Sequence, residues 1–237
     1  MTSNDENLPP WARGSRWSEN QRQRLARRSQ RFLGRCDWIG ADSLTIDENL
    51  CRRIATEACL MTLELEADLL DSVNTVILYP GAFVVDDEWT DEDGIVHQGR
   101  DIRSGEAWDR GPVVLARDEI VSPPMGSSLV IHEFAHRLDA LNGVMNGFPP
   151  LRPPQSARRW NEVFSRAFDD IRRRVETGAE LRIDDYAAEN PAECFAVFSE
   201  AFFVTPDILA TDYPAVAEQL REFYRQDLRQ STSEVAT

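Results

Sequence analysis

Apolar residues recur along this chain in two rhythms, one helical and one extended. Between residues 156 and 177, Trp160, Val163, Phe164, Ala167, Phe168, Ile171 and Val175 fall three and four apart. That spacing predicts a helix with one buried stripe, ended by Gly178, with Arg158, Arg159, Arg166, Arg172 and Arg173 on its other face. Ser18-Glu-Asn-Gln21 has the form of a capping box and predicts a helix to about Phe32, with Gly34 beyond it and an arginine-rich face turned to solvent. Thr45-Ile-Asp-Glu48 predicts another, to about Leu65, with Leu50, Ile54, Ala58 and Met61 in its stripe. Asn190-Pro191 predicts an N-cap with proline at the first helical position, opening a helix to about Phe203. Pro206 and Pro214 bracket a break, and a last helix spans about 215–228.

The extended rhythm is confined to the middle of the chain. Residues 74–79 are β-branched and stop at Pro80-Gly81, which predicts a buried strand. Residues 82–89 and 95–98 flank Thr90-Asp-Glu-Asp-Gly94 and predict a hairpin. Residues 112–116 predict a further strand just before the next helical stretch, read here as an edge along which an extended peptide could add. Residues 143–154, rich in Gly and Pro, predict a loop.

Composition narrows this picture. The chain has 237 residues and is 42% hydrophobic, enough for one core, and no apolar run approaches a membrane span. The expected organisation is a flexible segment over 1–17, one domain over 18–228 and a flexible tail over 229–237. The first ten residues lack a basic and then apolar leader, so a cytoplasmic location is expected. Cys36, Cys51, Cys59 and Cys194 form no C-x-x-C pair and read as free thiols. Net charge is −15, and all 26 basic residues are arginine. So acidic a chain disfavours direct nucleic-acid binding.

The chemistry is concentrated in Leu129-Val-Ile-His-Glu-Phe-Ala-His-Arg-Leu-Asp139. His132 and His136 lie one helical turn apart on one face, where both imidazoles can reach one metal ion. Glu133, beside them, can act as a base without being a ligand. Leu129, Val130, Ile131, Phe134, Ala135, Leu138 and Leu141 make this helix largely buried, and Asn142-Gly143 is its stop. If the histidines were merely structural, a glutamate would be buried between them without a partner, at considerable cost. Asp139, one turn beyond His136, is read as orienting a ligand or a neighbouring arginine, or as structural at the helix end. His97, isolated on a strand, is read as structural or exposed.

A catalytic zinc site usually has three protein ligands. His136 is the last histidine, so the third ligand falls to a carboxylate elsewhere. Glu193 and Glu200, seven residues apart in an otherwise apolar helix, are both candidates on spacing alone.

These two blocks together, Leu129–Asp139 followed by Asn142-Gly143, and Tyr186-Ala-Ala-Glu-Asn-Pro-Ala-Glu193-Cys-Phe-Ala-Val-Phe-Ser-Glu200, resemble the Mlc titration factor A (MtfA) family of glucose-regulated zinc metallopeptidases. The second block is also similar to the catalytic end of anthrax lethal factor. Ser128 departs from the asparagine expected before Leu-Val-Ile-His. The resemblance implies an α+β, zincin-like (gluzincin) metallopeptidase domain, a small mixed sheet packed against the active-site helix and several further helices. It implies Zn²⁺ on His132, His136 and Glu193, with Glu133 as general base, Tyr186 as electrophilic helper and Glu200 in a supporting or structural place. It further implies a cytoplasmic peptidase, aminopeptidase-like, acting on peptide or protein substrates and linked to regulation of sugar uptake. A second function class follows from the same resemblance: a regulator that sequesters a transcriptional repressor, with hydrolysis secondary. No nucleic-acid or membrane partner is implied.

Overall fold

The computed structural model describes residues 8–13, 17–66, 68–90, 96–103, 105–107 and 111–228. The architecture is α+β. In chain order the elements are α1 (Glu19–Arg35), β1 (Asp37–Gly40), α2 (Glu48–Met61), β2 (Thr75–Tyr79), β3 (Phe83–Thr90), β4 (Val96–Arg103), β5 (Gly105–Ala107), β6 (Val113–Ala116), α3 (Arg117–Val121), α4 (Leu129–Asp139), α5 (Ala157–Thr177), α6 (Pro191–Val204), α7 (Pro206–Asp212) and α8 (Pro214–Tyr224).

Local signals placed most helix ends. Ser18 and Gln21 make both bonds of the capping box at α1. Ser156 caps α5, and Gly178 ends it at φ 64°. The Asn190 side chain accepts from the backbone N–H groups of Ala192 and Glu193 at the start of α6. At α2 the expected box does not form: Asp47 is the cap, accepting from the Asn49 N–H, and the helix ends at Met61 rather than Leu65. The predicted break between the two prolines holds a short helix, α7, because Pro206 and Pro214 each sit at the first position of a new helix.

The main sheet has the order β1-β2-β6-β5, with β1, β2 and β6 parallel and β5 antiparallel to β6. Strand β6 therefore lies between β2 and β5 and offers no free edge. The reading of residues 112–116 as a peptide-accepting edge is overturned by the short β5, which covers it. β1 and β5 carry too few residues to show a period of their own. β3 and β4 form the expected hairpin as a separate antiparallel pair. Its turn, residues 91–95, lies outside the described residues, as do residues 1–7, 14–16 and 229–237 of the segments expected to be flexible.

The core is one apolar cluster between the sheet and the helices, with Trp160, Phe134, Phe195, Phe198 and Phe203 fully buried. Leu8, Ala12 and Trp17 are also buried in it, so part of the N-terminal stretch carries packing that its polar sequence does not advertise. The arginine face of α1 is likewise not simply solvated. Arg28 donates to the Thr62 and Leu65 carbonyls, and Arg35 to those of Leu70, Asp71 and Val73. Arg24 and Arg31 pair with Glu64 and Asp71. These side chains hold the connection between α2 and β2, whose carbonyls have no strand to pair with. All four cysteines are free and buried. Among the described residues, no helix is long and apolar enough to cross a membrane.

Candidate metal centre

Helix α4 runs through the middle of the core, packed on α2, α6, β5 and β6. Residues Val130 to Asp139 are all buried. His132 and His136 project from one face, their ring centroids 4.8 Å apart. Helix α6 crosses this face and brings Glu193 to it. His132 Nε2 lies 2.9 Å from Glu193 Oε2, and His136 Nε2 lies 3.2 Å from the same oxygen and 3.2 Å from His132 Nε2. Among the described residues, His132, His136 and Glu193 form the group whose donor atoms, all within 4.8 Å of one another, could hold a metal ion.

Glu200, two turns further along α6, reaches the opposite side of His132. Its Oε1 is 2.8 Å from His132 Nδ1. Its Oε2 accepts from the Ser128 N–H at 2.7 Å and the Ser127 hydroxyl at 2.8 Å. A carboxylate facing Nδ1 puts the imidazole proton there and leaves the Nε2 lone pair for a cation. Three lone-pair atoms then converge on one point. A proton on His132 satisfies one of those contacts; a divalent cation satisfies all three, so the donor set fits a metal.

The electrostatics agree with a site short of positive charge. Burial works against charging His132, but its hydrogen bonds to Glu193 and Glu200 outweigh that and raise its pKa well above 6.5. Burial alone would raise Glu193, yet the hydrogen bonds from His132 and His136 hold it down at about 2. Glu133 is pushed up to about 7 by burial, partly offset by the two histidines and reinforced by Glu193 and Glu200. Its Oε2 is buried and has no hydrogen-bond partner among the described residues. A carboxyl poised near neutrality is the condition a general base needs.

Tyr186 stands on a 3-10 turn, Asp185–Ala188, just before α6. Its ring lies 6.1 Å from that of His132 and is half exposed. Asp139 Oδ2 accepts from the Gly147 N–H at 2.7 Å, which pins the loop after α4, a contact that fits the structural reading at the helix end. His97 falls in β4, and its side chain lies outside what is described.

A family profile described as glucose-regulated metallo-peptidase M90 matches residues 7–225. The chain belongs to this metallopeptidase family. Among curated relatives, Mlc titration factor A of Cronobacter sakazakii is 39% identical over 214 residues, covering 89% of this chain and 81% of that protein. Mlc titration factor A of an Enterobacter species is 37% identical over 223 residues, covering 92% and 84%. That of Escherichia coli O139:H28 is 37% identical over 214 residues, covering 89% and 81%. The zincin-like α+β core and the family expected from the two sequence blocks are thus both met, and a metal centre is what a metallopeptidase of this family carries.

Two residues escaped the sequence reading as parts of this centre. In the sequence Ser128 is only a departure at the helix start; in the structure its hydroxyl caps α4, accepting from the Ile131 N–H at 3.3 Å. Glu57 lies within the apolar stretch of α2. It is buried, and its Oε2 accepts from the Ser128 hydroxyl at 2.7 Å. The available signal was a lone acid among Ile54, Ala55, Ala58 and Cys59.

Proposed function

We propose that the chain is a zinc-dependent peptidase, with His132, His136 and Glu193 as metal ligands and Glu133 as general base. The observation that carries this is the convergence of His132 Nε2, His136 Nε2 and Glu193 Oε2, with Glu200 Oε1 facing the far nitrogen, His132 Nδ1. Bound zinc supplies a Lewis acid that polarises the scissile carbonyl and makes water easier to deprotonate. Glu133 takes the proton of the attacking water and returns it to the leaving amine. Its burial keeps it a strong enough base for the first step and a strong enough acid for the second. The Tyr186 hydroxyl donates a hydrogen bond to the oxyanion that develops on the carbonyl. Glu200 holds the His132 ring in place.

The proposed activity is aminopeptidase-like and cytoplasmic, residues 18–228 acting as one domain on peptide substrates. The name shared by the relatives, Mlc titration factor A, favours a second reading: binding and sequestering a transcriptional repressor in the regulation of sugar uptake, with hydrolysis secondary. One experiment separates them. Zinc content and hydrolysis of a panel of aminoacyl and peptide substrates are measured on wild type and Glu133→Gln, together with repressor pull-down. The peptidase reading expects one zinc per chain in both proteins and turnover in the wild type alone. Repressor capture by both proteins, with no turnover in either, supports the regulator instead. Absence of zinc from the wild type overturns the metal assignment.

A further inference from the structure

We propose that Glu57 is a positioning residue for the metal centre, acting from α2 through Ser128 on the first turn of α4. The inference rests on the metal reading above and extends it to a residue outside the ligand set.

The argument begins with a cost. Glu57 is 1% exposed, and burying a carboxylate is expensive unless it is well bonded. Its two partners are Arg53, whose Nε lies 3.0 Å from Oε1, and the Ser128 hydroxyl, 2.7 Å from Oε2. Arg53 is one turn away on the same helix and reaches the surface, so it explains the charge but not its direction. What Glu57 gains by pointing inward is Ser128.

Ser128 has one hydroxyl proton. Donating it to Glu57 leaves the oxygen lone pairs for the Ile131 N–H, the capping bond that starts α4. The backbone N–H of the same residue goes to Glu200 Oε2, and the other oxygen of that carboxylate holds His132 Nδ1. Two carboxylates from two helices thus grip one residue, and one of them also grips a metal ligand one turn later. Displacing Ser128 relative to Glu200 must either break the bond to its N–H or move the carboxylate that orients His132. Negative charge at the N-terminus of α4 is also where the helix dipole favours it. The chain Glu57–Ser128–Glu200–His132 therefore links the packing of α2 to the aim of a ligand nitrogen.

The test is a double-mutant cycle read as zinc affinity, by competition with a fluorescent zinc chelator, on protein verified as folded by circular dichroism. Glu57→Gln is isosteric but cannot accept from both Ser128 and Arg53. Ser128→Gly removes the hydroxyl while keeping a residue tolerated as a cap. Loss of a partner behind a metal ligand typically weakens binding 10–100-fold. One step further out, each single variant should bind zinc about tenfold more weakly than wild type, and the double variant no more weakly than either single. Additive losses, or single variants within twofold of wild type, overturn the inference. Should Glu57→Gln fail to fold, Ser128→Gly alone decides, since it leaves Glu57 in place and cuts the link. A wild type that takes up no zinc is a different failure, of the metal reading itself.

Discussion

Glu200 Oε1 lies 2.8 Å from His132 Nδ1, on the face of the imidazole opposite Glu193. The two acids that spacing alone left as rival third ligands therefore contact different nitrogens of one histidine. This arrangement predicts an order of losses. Glu193→Gln removes a ligand and should weaken zinc binding by at least a hundredfold. Glu200→Gln leaves the ligand set intact but places an amide opposite the Ser128 N–H, and should cost about 10–100-fold. Competition titration of both variants measures the order; the reverse order would make Glu200 the ligand.

Glu133 and Tyr186 should affect turnover and not metal. Glu133→Gln retains the buried shape and loses the base, so kcat should fall by about 10²–10⁴-fold with zinc content unchanged. Tyr186→Phe removes a hydroxyl from a half-exposed ring and should lower kcat by about 10–10³-fold, also at full zinc occupancy. Metal analysis beside steady-state kinetics checks both, and zinc lost from either variant would contradict the assigned roles.

Zinc uptake should depend on pH through His132. Its pKa in the metal-free protein is raised well above 6.5, so it carries a proton on Nε2 that the metal must displace. Below that raised pKa, zinc affinity should increase about tenfold per pH unit as the competing proton is lost. The same raised pKa has a folding consequence for the metal-free chain. The folded state binds the proton more tightly than the unfolded one, so this contribution to stability is complete below about 6.5 and disappears as pH rises through the folded value. Titration calorimetry in buffers of different ionisation enthalpy should detect a proton released on binding at pH 7. A pH-independent affinity would place the proton elsewhere.

What could be read from the sequence divides along the range of the interactions. The caps at Ser18 and Asn190 and the stripe of α5 are set by neighbours within a few residues, and they stand where the pattern placed them. The place of β6 in the sheet depends on pairing with β2 and β5, which no local period encodes, and the edge reading failed there. The centre divides in the same way. His132, Glu133 and His136 are one turn of one helix. That Glu193 faces the Nε2 atom of His132 and Glu200 its Nδ1 depends on which face of α6 crosses α4. Glu57 is visible as an acid in an apolar stripe, but its partner Ser128 is 71 residues away, and only the packing of α2 on α4 brings them together.

Gly147 offers a test of how the loop after α4 keeps the two ligand-bearing helices in register. Its N–H donates to Asp139 at the end of α4, and its carbonyl accepts from Trp160 Nε1 at 3.0 Å. It adopts φ +74°, and a Cβ there would lie 2.2 Å from the carbonyl oxygen of Pro191, the first residue of α6. Gly147→Ala thus combines left-handed strain, about 1–2 kcal/mol, with a backbone clash two residues before Glu193. Gly143→Ala is the control: φ is +94° there, but nothing lies within 4 Å of the added atom. The control should lose about 1–2 kcal/mol of stability and keep wild-type zinc affinity. Gly147→Ala should lose about 2–4 kcal/mol, lowering Tm by roughly 5–15 °C, and should also bind zinc more weakly because Glu193 is displaced from the histidines. Thermal melts and zinc titrations of the two variants separate strain from clash. Equal behaviour would mean that the contact with Pro191 yields without moving α6.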